Sequence, residues 1–122
     1  MRRYASPVLL VTAMGALLAF GTPRTGAQAL ARHPVARATI KNYAFHPMTL
    51  TIAAGSTVTW TNMDPDNHTV TTDPGSGVHF GSSTLAGHSV FKHTFNKPGV
   101  YRYHCSFHPF MNGVIRVKKR AT

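Results

Sequence analysis

Beyond residue 29 this chain carries no sustained helical period. Its apolar residues fall in short runs rich in Val, Thr, Ile, Tyr and Phe, broken every several residues by Gly, Pro, Asn or Asp. Residues 35–41 form the first run. Met48, Leu50 and Ile52 alternate with Thr49 and Thr51, which predicts a strand with one buried face. Ala54-Gly55 turns the chain into residues 56–62, where Val58 and Trp60 share a side. Asp64-Pro65-Asp66 is turn chemistry, and residues 68–72 read as a short strand after it. Residues 73–81 hold the densest glycine and read as a mobile surface loop. Phe91, His93 and Phe95 alternate along another strand, a turn at residues 96–99 follows, and residues 100–105 return. Residues 113–119 close the pattern, with Ile115 and Val117 inward. Seven to eight short strands of this kind predict an all-β sandwich.

The amino terminus has a different character. Arg2 and Arg3 precede an apolar run over residues 7–20, and Ala27-Gln28-Ala29 offers a small-residue cleavage site. That order predicts a secretory signal peptide over residues 1–29 and a single domain over 30–122. The apolar run is short for a bilayer crossing, so no stable membrane insertion is expected after cleavage. Export places the domain in the periplasm, or outside the cell where there is no outer membrane. The full chain has 13 basic and 3 acidic side chains, and removing Arg2, Arg3 and Arg24 leaves 10 against 3, a net charge of +7. Much of that charge lies at the ends of the domain, at Arg32, Arg37, Arg116, Lys118, Lys119 and Arg120. No phosphate loop, recognition helix or stacked-aromatic RNA signature accompanies it. Nucleic acid is therefore not the expected partner, and the charge bears on which proteins the domain meets.

The one cysteine, Cys105, has no disulfide partner and needs another reason to be present in an exported protein. It lies in Tyr103-His104-Cys105-Ser106-Phe107-His108-Pro109-Phe110-Met111, a Cys-x2-His-x2-Met spacing. Thiolate, imidazole and a weak axial thioether are the donors of a blue-copper site, which needs one further histidine. His68, in Asp66-Asn67-His68-Thr69-Val70, is the natural fourth donor. The candidate copper ligands are His68, Cys105, His108 and Met111. Such a mixed donor set suits both Cu(I) and Cu(II), so little must move when an electron passes. Zinc accepts Cys and two His, but thioether is a poor ligand for it. The other histidines, at 33, 46, 79, 88 and 93, read as solvent-facing or satisfied.

The same segment resembles the ligand loop of the cupredoxins, the plastocyanin/amicyanin-like blue copper family, and its two-residue His-to-Met gap is similar to that of amicyanins. Residues 55–62 followed by Asn67-His68-Thr69-Val70 are similar to the family's strand and first-ligand region. Lys97-Pro98-Gly99-Val100-Tyr101 is similar to its turn into the cysteine strand. The resemblance implies a Greek-key β-sandwich, one mononuclear type 1 copper and one-electron transfer rather than catalysis. It further implies a backbone N–H after the first histidine bonded to the cysteine sulfur, with support from Asn67 and Thr69. His108 is implied as the electron port, beside Phe107, Pro109 and Phe110, where donor and acceptor proteins dock transiently on a monomer. Phe107 stands where amicyanin-like loops usually carry Pro.

Two rival readings belong beside this one. A copper-trafficking protein would want an exchangeable site with several accessible Met or His, whereas the remaining methionines here are scattered. A copper-enzyme subunit would use His104 at a second, catalytic metal. Strand alternation sends the His104 side chain opposite to Cys105, and the mature chain holds one domain where copper nitrite reductases resemble two.

Overall fold

A computed structural model of the protein describes residues 33–121 together with Gly15, Ala16 and Gly21. The signal-peptide reading over residues 1–29 therefore falls, but for those three residues, outside the described residues. Eight strands make up the fold: β1 (Val35–Lys41), β2 (Ala44–His46), β3 (Thr49–Ala53), β4 (Ser56–Asn62), β5 (Thr71–Thr72), β6 (Val90–Phe95), β7 (Gly99–His104) and β8 (Asn112–Lys118). They form two four-stranded sheets, ordered β2-β1-β4-β6 and β3-β8-β7-β5. β1 runs parallel to β4 and β3 parallel to β8, and the remaining pairs are antiparallel. The chain crosses between the sheets repeatedly, so each sheet draws its strands from both halves of the domain.

Alternation explains which faces meet. In β4 the even positions Ser56, Val58, Trp60 and Asn62 are buried, while Thr57, Thr59 and Thr61 lie between them at the surface. In β8 Gly113, Ile115 and Val117 point in, and in β7 Tyr101 and Tyr103 do. Trp60 is fully buried at the centre, stacked near Phe80 and Phe91 and edge-on to Tyr103 at 5.6 Å. Its indole N–H donates to the Tyr103 hydroxyl at 3.1 Å, so the one polar atom of each ring is satisfied. Burying rings of this size contributes about 1.5–3 kcal/mol each. Tyr103 lies opposite Gly113 across the β7–β8 pair, and a Cβ at Gly113 would overlap its ring.

Four local features differ from the pattern in the sequence. β2 is an additional three-residue strand, formed because Asn42 and Tyr43 both adopt positive φ (51° and 57°) and fold the chain back on β1. Met48 is 64% exposed at the mouth of β3 rather than on its buried face, and Ile52 carries the burial there. The stretch 68–72 is a single bridge at His68 to Leu85 followed by the two-residue β5. Within the glycine-rich loop, Phe80 folds back into the core and its N–H bonds to Thr72 Oγ1 at 2.7 Å.

Candidate metal centre

The cluster lies at the end of the sandwich where β4, β7 and β8 have their Asn62, His104 and Asn112 termini. Cys105 follows directly on β7. Its N–H bonds to the Met111 carbonyl at 3.1 Å, and the Met111 N–H to the His108 carbonyl at 2.8 Å. These two bonds close the loop on itself and bring His108 and Met111 back beside the cysteine. The first histidine arrives on a different segment, held by reciprocal backbone bonds between His68 and Leu85 of 3.0 and 2.8 Å.

The result is a convergent trio. Cys105 Sγ lies 3.7 Å from His68 Nδ1 and 3.7 Å from His108 Nδ1. The three donor atoms all fall within 4.8 Å of one another, the one such cluster of His, Cys or acidic side chains among the described residues. An ion about 2.0 Å from each nitrogen and about 2.3 Å from sulfur, in a trigonal plane, would set nitrogen and sulfur about 3.7 Å apart. The donors therefore fit a first-row metal. Cys105 and His68 are fully buried, Met111 is 2% exposed, and His108 alone reaches partial exposure.

The surroundings fix each donor. His68 donates from Nε2 to Asp64 Oδ2 at 3.0 Å, which leaves the Nδ1 lone pair directed at the cluster. Asp64 itself accepts from the backbone N–H of Asn42 at 2.7 Å and of Tyr43 at 3.0 Å. Burial pushes its carboxyl upward, but the Tyr43 and Asn42 N–H groups and His68 outweigh that and leave it below its ordinary value. Asn62 steadies the same turn, accepting from the Asp64 N–H at 2.9 Å and donating to the Asp66 and Leu85 carbonyls. The Thr69 N–H points at Cys105 Sγ from 3.4 Å, and Thr69 Oγ1 accepts from the Ser106 N–H at 2.8 Å. Thr69 thus ties the two ligand segments together. Asn67, by contrast, is exposed, and the outer nitrogen of His68 is taken by Asp64. Nothing in the bare order of residues 62–68 distinguishes Asp64 from Asp66; the positive-φ turn at Asn42-Tyr43 decides it.

Around His108 the surface is apolar. Tyr43 meets both histidine rings edge-on, at 5.4 Å from His68 and 4.9 Å from His108, and Phe110 approaches His108 at 5.9 Å. Phe107 is 54% and Phe110 69% exposed, with Pro109 between them and His108 also at the surface. The Phe107 ring therefore adds to this rim and takes no place in the core. His104 faces away from the trio. Its Nδ1 is 2.6 Å from Asp73 Oδ1, where it pins the start of the loop after β5.

The two four-stranded sheets and the sulfur-and-two-imidazole trio at one end define a small copper-binding β-sandwich. A family model for the cupredoxin-like domain matches residues 10–117, and the chain belongs to the cupredoxins. Within that family it is amicyanin-like. It is similar to amicyanin-alpha of Methylorubrum extorquens, 37% identical over 81 residues that make up 65% of this chain and 68% of the relative. Among solved structures it is similar to a purple cupredoxin from Nitrosopumilus maritimus, with a TM-score of 0.62 and 34% identity over 68% of this chain and 99% of that one. A copper-containing nitrite reductase from Thermus scotoductus matches with a TM-score of 0.67 and 32% identity, over 72% of this chain but only 23% of the enzyme's. The family's cofactor is one type 1 copper, and His68, Cys105 and His108 are the cluster present here for it.

Proposed function

We propose that this protein is an exported blue-copper carrier that passes single electrons between larger redox proteins, with His68, Cys105, His108 and Met111 as ligands. The observation that carries the reading is the pair of 3.7 Å separations between one thiol and two imidazole nitrogens that already face each other. Bound copper supplies the one-electron couple. The residues supply the rest: Asp64 and the Leu85 bridge hold His68, the Thr69 N–H tempers the thiolate, and the loop-closing backbone bonds seat His108 and Met111. With every donor held independently, changing the oxidation state demands little motion. His108 is the one ligand at the surface, and its rim of Tyr43, Phe107, Pro109 and Phe110 favours brief, weakly bound encounters.

Copper-loaded protein should show the intense visible band of thiolate-to-Cu(II) charge transfer and lose it on reduction. Cys105→Ser should abolish the band while leaving the far-ultraviolet circular dichroism of the sandwich unchanged. A Cys105→Ser protein that stays blue overturns the reading. His104 has no part in this scheme beyond its contact with Asp73.

A further inference from the structure

Most of the charges are sorted along the strand axis, with Lys41 at the end of β1 the one cation beside the metal end among the described residues. All three carboxylates sit at the metal end, and each is engaged there: Asp64 with His68, Asp66 with the Tyr43 hydroxyl and Asp73 with His104. Among the described residues none pairs with a lysine or arginine. The opposite end is built where β1 begins, β3 turns into β4, and β6 and β8 stop. Backbone bonds from Thr57 to Pro34, Ala54 to Lys118 and Gly55 to Phe95 knit it together. His33 donates from Nδ1 to the Gly55 carbonyl at 2.9 Å, and a Cβ at Gly55 would lie 3.8 Å from the Arg120 guanidinium. Lys97, Lys118, Lys119 and Arg120 are exposed around this end, with Arg116 two residues back along β8, and among the described residues no aspartate faces them.

We propose that this pole is a docking surface for anionic lipid headgroups, holding the sandwich on a membrane with the His108 end turned to water. The cations come from separate segments, the β6–β7 turn and the tail after β8, spread over a strand-end surface rather than lining a cleft. A protein partner of ordinary affinity needs roughly 800 Å² of complementary surface with an apolar or aromatic centre. Here the exposed large apolar residues are Val35 and Val100, while Tyr43, Phe107 and Phe110 all lie at the metal end. The same distribution leaves single-stranded nucleic acid no ring to stack on. A diffuse layer of phosphates asks only for clustered positive charge. Because the field fades within about 10 Å, only the cations of this pole feel it, and their one-sided placement sets the orientation. That orientation matters for electron transfer only on the reading proposed above; the binding itself does not depend on it.

The test is co-sedimentation of the exported protein with vesicles of phosphatidylcholine alone or mixed equally with phosphatidylglycerol. Binding should require the anionic lipid and weaken steeply with added NaCl. Lys118→Gln, Lys119→Gln and Arg120→Gln together should weaken it on the order of 100-fold. Removing three charges from the waist of the molecule instead, by Arg37→Gln, Lys92→Gln and Arg102→Gln, should cost no more than roughly 3-fold, because those sites stand away from the surface. Copper-loaded and copper-free protein should bind alike, so failure of the metal reading leaves the outcome interpretable. Equal losses in the two triple variants, equal binding to both lipid mixtures, or retention by an immobilised acidic protein without vesicle binding overturns the proposal.

Discussion

At the scale of single residues, Asp64 has the largest leverage on the metal. It is nearly buried, carries its negative charge against the outer nitrogen of His68, and is itself clamped by two backbone N–H groups. A fixed negative charge at that position favours the more positive oxidation state. Asp64→Asn keeps the shape and an acceptor oxygen but removes the charge, so the reduction potential should rise on the order of 50–100 mV. Voltammetry of the variant beside Asp66→Asn, whose carboxylate meets only the exposed Tyr43 hydroxyl, gives the comparison. Equal shifts in the two would remove Asp64 from any special role. The trio His68, Cys105 and His108 was readable in the sequence because metal chemistry restricts which residues can serve. The supporting acid was not, because it depends on a turn 22 and 21 positions away, at Asn42 and Tyr43, that no glycine marks.

At the scale of elements, the β7–β8 pair carries the cysteine and depends on one close contact. The Tyr103 ring lies across Gly113, and an added methyl there meets buried ring atoms that have no room to retreat. Gly113→Ala should destabilise the protein by about 3 kcal/mol in urea unfolding, with loss of the copper band at lower denaturant. A cost below about 1 kcal/mol would mean the ring can slide. Tyr103 supplies a second test. Burial, eased slightly by the Trp60 hydrogen bond, raises its hydroxyl from 10.0 to about 12. A pKa raised on folding means the neutral form is favoured in the native state. Its contribution is therefore complete below about pH 10 and lost as pH climbs through 12, a slope worth about 3 kcal/mol in all. Tyr103→Phe should flatten that alkaline loss relative to the parent, at the expense of an unpaired Trp60 N–H. Parallel curves for the two proteins between pH 10 and 12 would contradict the assignment. The long strands were legible because alternation and β-branched residues coincide in them. β2 was not, since its turn uses Asn42 and Tyr43, and Phe80 looked like loop because its neighbours are glycine and serine.

At the scale of the whole molecule, the donors are positioned by the sandwich and by hydrogen bonds from Asp64, the Thr69 N–H and the loop backbone. Copper removal should therefore leave the β-sheet circular dichroism intact while lowering Tm by roughly 10–30 °C at micromolar metal, the shift expected when a tightly bound ligand is lost. An unfolded apo-protein would show that the ion organises the fold instead. The sequence conveyed the net positive charge but not its segregation, which depends on which strand ends share a pole. The cysteine sulfur and the Thr69 N–H that meets it stand 36 positions apart in the chain, and the sulfur and His68 stand 37 apart. Closing a loop of that length costs entropy that only the finished sheets repay, so the pocket does not exist along the early part of the folding route. A chain exported in an extended form, as proposed above, would cross metal-free. An apo-protein that keeps its sheets would put the steps in this order: the polypeptide assembles first, and whichever compartment it folds in furnishes the ion afterwards.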